Sequence, residues 1–174
     1  AAEYILMHAL IYRTQVVRDS GMQLPEHTFY VDFIYAYQPF PWVKSMLYMD
    51  IPFYHYFIGR EGQSVQTDVM IRRVAQLRLV NQRMVEATPE PGTVPDGLYR
   101  YMIHFLAIES SVTSVFLILS KDKANYRLKD ELWADIDKAS PAIGRDVRRK
   151  LVSRALNLRG SVGRWVIRRG YVVA

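Results

Sequence analysis

The feature that most constrains the fold is a long apolar run, "YMIHFLAIESSVTSVFLIL", at residues 101–119. It belongs to a predicted helix, roughly residues 96–120, which carries apolar side chains on most of its sides. The run is long enough to span a bilayer, but Glu109 lies near its centre, where a charge is costly in lipid. We therefore expect a helix surrounded by other elements of a folded domain, and weak membrane association stays open.

Three further helices are predicted around this one by apolar residues at helical spacing. The first begins at Asp68, a favoured N-cap residue. The second is expected near residues 125–139, and the third begins at Pro141, because proline is favoured in the first turn. The residues expected on their buried faces are Met70, Val74, Leu77, Asn81 and Met84 in the first, Leu128, Leu132 and Ile136 in the second, and Ile143, Val147 and Leu151 in the third.

The first 60 residues have a mixed pattern. "YILMHALIYR" is typical of a strand, "TQVVRDSGM" of a short helix that ends at Gly21, and "FYVDFIYAY" fits either element. "KSMLYMDIPFYHYFI" indicates an extended segment that Pro52 interrupts. We therefore predict a mainly α protein with a small α/β N-terminal portion, divided into residues 1–66 and 67–174.

Several classes of site are excluded by composition and motif. The chain has no cysteine, which rules out disulfides, zinc–thiolate sites and iron–sulfur clusters and favours a reducing compartment. Its four histidines lack ligand spacing, and the common phosphate-loop, dinucleotide, serine-hydrolase and zinc-protease motifs are missing. "DID" at 135–137 matches a cation-binding string of sugar transferases. Its helix-favouring context should turn both carboxylates to solvent, so we interpret the match as a coincidence.

Positive charge is concentrated at the C-terminal end. Residues 1–140 carry 14 basic and 16 acidic side chains, whereas residues 141–174 carry 9 basic and 1 acidic. This asymmetry indicates an anionic partner, either a membrane surface or a nucleic acid. A basic helix face that is merely solvated would give the same pattern, and both interpretations stay open.

Candidate functional residues lie between positions 27 and 64. Asp32 is an isolated acid in the aromatic run "LPEHTFYVDFIYAYQPF", a setting that is more often structural than catalytic. The many aromatic residues of 29–57 could stack on sugar rings, although aromatic side chains also dominate ordinary cores. In "FIGREGQSV" two glycines permit close backbone approach and Arg60 suits phosphate, but the same string also makes a plain turn.

Three stretches taken in order resemble the C-terminal half of bacterial family 2 glycosyltransferases: "HALIYRTQVVRDSGMQLPEHTFYVD", "MLYMDIPFYHYFIGREGQSV" and "VMIRRVAQLRLVNQRMVE". These are inverting GT-A enzymes of cell-surface polysaccharide synthesis. "FYVD" is similar to the family's acidic motif, with Val31 where glutamate is frequent, and "YHYFIGREGQS" is similar to a later loop. The resemblance covers nearly the whole chain. It rests on the order and spacing of these motifs, and no single motif is diagnostic.

The resemblance implies that residues 1–66 are the acceptor-side end of a GT-A catalytic domain and that residues 67–174 are a helical C-terminal subdomain. It implies that Asp32 is the general base, which deprotonates the acceptor hydroxyl as this attacks the anomeric carbon of the donor sugar. The residues implied to bind substrate are His27, Gly59, Arg60 and Ser64.

The resemblance also implies a nucleotide-sugar donor, a saccharide or lipid-linked acceptor, and a divalent cation, Mg or Mn. Donor and cation would bind mainly to an N-terminal half that precedes Ala1, so we expect this fragment to be inactive alone. A cytoplasmic enzyme is expected, whose basic tail 141–174 lies at the inner face of the membrane, with no specific nucleic acid bound. The alternative is a self-standing helical module that binds nucleic acid or an acidic protein through residues 141–159.

Overall fold

A computed structural model describes residues 4–57, 59, 62–157, 163, 165 and 167–169. Its α-helices are α1 (Thr14–Asp19), α2 (Asp32–Tyr35), α3 (Thr67–Arg72), α4 (Val74–Glu86), α5 (Asp96–Leu119), α6 (Lys123–Ala139), α7 (Pro141–Arg149) and α8 (Leu151–Leu156), with 3-10 turns at Met7–Ala9 and Phe40–Trp42. The mainly α class is confirmed.

Neither the predicted α/β portion nor the end of a GT-A domain is supported, because none of the described residues forms a strand. "YILMHALIYR" contains only the 3-10 turn Met7–Ala9, although its residues are strand formers. A strand needs a neighbour for its backbone hydrogen bonds, and the described part of the chain supplies none here. The short helix α1 is confirmed, and Gly21 follows it with a positive φ of 62°.

Helix α5 is the centre of the fold, as predicted. It packs against α3, α4, α6, α7 and α8. By length and composition it could cross a membrane, but 72% of its most apolar window is buried inside the structure. The core that surrounds it therefore accounts for its apolar composition.

Residues before α3 belong to the same hydrophobic core. The Tyr37 side chain is fully buried, and its hydroxyl lies 2.8 Å from the Thr88 hydroxyl and donates to the Met102 carbonyl at 3.2 Å. The backbone N–H of Ile5 donates to the Tyr101 hydroxyl at 3.1 Å. These contacts fix the N-terminal segment on α5, while the proposed division after residue 66 stays a prediction.

The face predicted for the first of the flanking helices is confirmed, because all five of its residues are buried. The segment is nevertheless two helices, α3 and α4, which meet at Arg73, where φ is −106° and ψ is 16°. The N-cap of α3 is Gln66 rather than Asp68, so that prediction was wrong. Asp68 instead accepts a hydrogen bond from Arg72 one turn later, at 2.6 Å.

The C-terminal helices differ from the prediction at one residue. Pro141 begins α7, and Ile143 and Val147 are buried, as expected. Leu151 is 81% exposed, because α7 ends at Arg149 and the following Lys150, with φ of −64° and ψ of 140°, is extended. The backbone change rotates Leu151 off the buried face of α7.

Gly144 permits α7 to lie directly against α6. A methyl group at this position would be 2.9 Å from the Asp137 Cα atom, which is backbone and cannot swing aside. Gly144→Ala should therefore push the helices apart and lower the free energy of unfolding by about 2 kcal/mol. Urea denaturation measures the change. Gly97→Ala is the matched control, since a Cβ atom there meets open space, and equal stability of the two variants would contradict the packing.

Candidate functional site

Asp32 is placed by an unusual turn before α2. Tyr30 has a positive φ of 68°, which is uncommon for a residue with a large side chain. Its ring is buried in the core, and its hydroxyl donates to the Ser64 carbonyl at 2.9 Å. The chain therefore reverses at Tyr30 and begins α2 with Asp32. This contact also joins the Asp32 turn to the loop that contains Ser64.

Helix α4 and the residue before it anchor the other side of the turn. The Gln76 side chain accepts a hydrogen bond from the Phe29 backbone N–H at 3.0 Å and donates to the His27 carbonyl at 3.5 Å. The Arg73 guanidinium lies 3.4 Å from the centre of the Phe29 ring. His27 has a positive φ of 52°, and its backbone carbonyl is what the turn uses. The turn is thus held from both sides.

The environment of Asp32 favours its protonated form. Burial raises the pKa of the Asp32 carboxyl. The rise is opposed only in part by hydrogen bonds from the backbone N–H groups of Asp32 and Phe33 and by the charge of His8. A carboxylate with a raised pKa is a stronger base than one in water. This property suits a group that must accept a proton from a hydroxyl near neutral pH.

His8 is a member of the site that sequence reasoning missed. Its ring stacks on Tyr54 with centroids 5.0 Å apart, and on Tyr56 with centroids 5.8 Å apart. It is also close enough to Asp32 to lower the pKa of that carboxyl. We define His8, Tyr54 and Tyr56 as the aromatic platform, and the charge of its His8 acts on the Asp32 carboxyl.

The platform belongs to a longer exposed apolar segment. Residues 43–57 form no helix or strand, and their large apolar side chains face solvent. The exposed members are Met46, Leu47, Tyr48, Met49, Ile51, Phe53, Tyr54, Tyr56 and Phe57. Among the aromatic residues of 29–57, Tyr30, Tyr37 and Phe40 are therefore in the core, whereas those after residue 47 are exposed. Exposed large apolar side chains this close in sequence are typical of an interaction site.

The loop after this segment is closed by glutamines. The Gln63 side chain is buried, accepts a hydrogen bond from the Gly59 N–H at 2.9 Å, and donates to the Phe57 carbonyl at 2.9 Å. Gly59 and Gly62 have φ values of 103° and 75°, which favour glycine. Arg60, a predicted substrate contact, lies outside the described residues.

The structure therefore brings most of the predicted site residues into one region. Ser64 is joined to the Asp32 turn by Tyr30, and Gly59 lies in the same loop as Ser64. His27 is held by α4 through its backbone carbonyl. Within the described ranges, no group of three or more His, Cys, Asp or Glu side chains could hold a metal ion. These residues thus do not by themselves form a site for the implied divalent cation.

The "DID" string is placed as expected. It lies within α6, where Asp135 is 3.4 Å from the Arg78 guanidinium and Asp137 accepts a hydrogen bond of 2.6 Å from Arg148. Both carboxylates are engaged in ion pairs between helices, far along the chain from the Asp32 turn. Their role in the structure is the packing of α6 on α4 and α7.

Comparison with known proteins gives no match to this chain among family models, curated proteins or solved structures. Function is therefore inferred from the residues, their geometry and the resemblance described above.

The electrostatic effect of His8 on Asp32 gives a testable titration. Histidine is mostly cationic at the pH values where carboxyl groups titrate, so His8→Phe should raise the pKa of Asp32 further. The carboxyl carbon signal of Asp32, followed by NMR against pH, measures this shift. Asp68 is the internal comparison, because a hydrogen bond from Arg72 lowers its pKa and the substitution should leave it unchanged. An unmoved Asp32 titration would show that His8 does not act on it.

Proposed function

We propose that this chain is the acceptor-side and C-terminal helical part of an inverting glycosyltransferase, with Asp32 as the general base. The observation that carries the proposal is the half-buried Asp32 carboxyl, whose pKa burial raises, and its electrostatic interaction with His8 of the aromatic platform. In this proposal the platform holds the sugar ring and Asp32 accepts the proton of its hydroxyl. The order and spacing of the motifs that resemble family 2 glycosyltransferases supply the reaction class.

The proposed reaction requires a single carboxylate. Asp32 accepts the proton of an acceptor hydroxyl while the hydroxyl oxygen attacks the anomeric carbon of the donor sugar. A new carbon–oxygen bond forms on one face as the bond to the nucleoside diphosphate breaks on the other, so the anomeric configuration inverts. The diphosphate leaves with the bonding electron pair, and a second acid to protonate it is unnecessary. An isolated aspartate is therefore chemically sufficient on the protein side of this step.

The aromatic platform fits the acceptor. Sugar rings present an apolar face of C–H groups that packs well on tyrosine rings, while their hydroxyls stay hydrated or hydrogen-bonded. Tyr54 and Tyr56 are exposed and lie against His8, which reaches Asp32 electrostatically. In this proposal Gly59, Arg60, Ser64 and His27 contact substrate from the two sides of the Tyr30 turn, and Arg60 contributes charge toward diphosphate or acceptor.

The exposed apolar segment supports the expectation that another part completes the enzyme. Nine large apolar side chains of 46–57 face solvent, more than a monomer usually leaves uncovered in one stretch. The proposed donor-binding half, with its nucleotide-sugar and cation sites, would cover this surface and face Asp32. The 174-residue chain alone is then expected to be inactive, and the intact enzyme would act at the cytoplasmic side of the membrane.

The test is sugar transfer by the intact polypeptide that contains this chain in its source cells. It is incubated with a panel of nucleotide sugars, Mg²⁺ or Mn²⁺, and a lipid extract as acceptor, and release of nucleoside diphosphate is followed. The proposal predicts release with at least one donor that depends on the lipid extract. A native polypeptide of about 20 kDa that turns over none of the donors would overturn it.

A further inference from the structure

The C-terminal part of the chain combines exposed cations with exposed large apolar side chains. We define the C-terminal basic surface by these residues, which are Arg149, Leu151, Val152, Arg154, Trp165 and Arg169. Leu151 is 81% exposed and Trp165 is 60% exposed, which is unusual for such large side chains. Arg169 lies over the Trp165 ring, 5.9 Å from its centre.

The orientation of the C-terminal basic surface follows from what is buried behind it. In α8 the inward residues are Ser153 and Leu156, three positions apart, so Leu151, Val152 and Arg154 point outward. Ile167 packs with Leu156 against Ile118 of α5. Trp165 is two positions before Ile167, about 200° around a helix, and therefore also faces away from α5.

The structure separates the arginines that hold the fold together from those that face solvent. Arg148 donates to both oxygens of Asp137 and to the Trp133 carbonyl, so it joins α7 to α6. The Arg149 side chain is 74% exposed, and it forms a long ion pair with Asp146, 4.0 Å between the nitrogen and the oxygen. The charge of Arg149 therefore remains available to an external anion at little cost.

We propose that the C-terminal basic surface docks on a membrane surface rich in anionic lipid. Cations near such a surface are attracted to the head groups, and exposed leucine and tryptophan side chains enter the boundary between head groups and acyl chains. The excess of eight positive charges in residues 141–174 provides the charge complementarity. A nucleic acid would use the arginines equally well but gains little from an exposed Leu151 and Val152, so the combination favours lipid.

This inference assigns the residues behind the membrane expectation of the proposed function, and its test does not depend on sugar transfer at Asp32. A protein with any activity at Asp32, or with none, would still bind vesicles through this surface. If both proposals hold, docking keeps the enzyme where lipid-linked acceptors are found, and the rest of the domain stays in the aqueous phase.

The test is co-sedimentation of the 174-residue chain with large vesicles. Vesicles of phosphatidylcholine alone are compared with vesicles that contain phosphatidylglycerol, at low and at high salt. Binding is expected only with phosphatidylglycerol and should weaken as salt rises. Arg149→Gln with Arg154→Gln should weaken binding about 25-fold, because each cation contributes roughly fivefold. Arg13→Gln with Arg18→Gln removes the same charge from an exposed N-terminal position and should change binding little.

A second variant tests the apolar part of the surface. Leu151→Ser with Val152→Ser should weaken vesicle binding about tenfold without changing the net charge. Both residues are exposed, so the fold should survive, and circular dichroism checks it. A chain that does not bind phosphatidylglycerol vesicles would overturn the proposal. So would an equal loss of vesicle affinity in the Arg13 and Arg18 control variant and in the Arg149 and Arg154 variant. Tighter binding to duplex DNA than to vesicles, unchanged in the serine variant, would overturn it as well.

Discussion

Replacement of Asp32 by asparagine is expected to lower turnover of the intact enzyme 10²- to 10⁴-fold, roughly the contribution of a general base. Asparagine keeps the shape of the side chain and can still accept hydrogen bonds from the backbone N–H groups at the start of α2. It cannot accept a proton from the acceptor hydroxyl. Donor binding should stay largely intact, since the proposed role of Asp32 is toward the acceptor.

Asp130→Asn is the matched control, because Asp130 is an exposed aspartate of α6. Each of the two variants removes one negative charge, so a general electrostatic effect on the enzyme appears in both. Initial rates of nucleoside diphosphate release, with donor affinity measured separately, distinguish the two. Turnover that survives in the Asp32 variant would mean that this aspartate is structural.

The second large effect is expected from the buried Glu109. Its side chain is fully buried in the middle of α5, where the Asn81 amide donates to it at 2.6 Å and the Thr113 hydroxyl at 2.9 Å. Burial raises its pKa to about 7, although both hydrogen bonds oppose the rise. The folded chain therefore holds a proton on Glu109 over a pH range in which the unfolded chain has released it.

This difference predicts that stability falls as pH rises. Below about pH 4.5 Glu109 is protonated in both states, and between about 4.5 and 7 only the folded chain keeps the proton. Integrated over that window, the group lowers the free energy of unfolding by about 3 kcal/mol. Glu109→Gln, which carries no charge, should therefore be more stable than the natural chain at pH 8 and similar to it at pH 4.5.

Urea unfolding of both chains across this pH range measures the effect. Glu131→Gln is the matched control, since Glu131 is on the exposed side of α6, 3.2 Å from Arg78. It should leave the pH dependence of the natural chain in place. A Glu109 variant whose stability follows pH as steeply as the natural chain does would show that another group is responsible.

The helical half of the fold could be predicted because its apolar residues repeat at helical spacing. Met70, Val74 and Leu77 are buried as the pattern requires, and α5 is central because no side of it suits water. Helix ends were less predictable. The break at Lys150 depends on a single backbone conformation, and nothing in the residue types around it distinguishes that position.

The candidate site was predictable only where local sequence carries the signal. Asp32 is conspicuous as an acid among aromatic residues, and Gly59 and Gly62 predict a turn in the loop that contains Ser64. His8 is separated from Tyr54 by 45 positions and lies in an apolar stretch, so only the folded chain shows that the rings stack. The backbone role of His27 is likewise set by Gln76 of α4, which sequence spacing does not connect to it.

The central claim is that a lone carboxylate, Asp32, carries out a single displacement at an anomeric carbon. The most direct test is the configuration of the product formed by the intact enzyme, read from the coupling constant of the anomeric proton by NMR. The account predicts inversion relative to the nucleotide sugar. Retention of configuration, or release of free sugar without a new glycosidic bond, would contradict it.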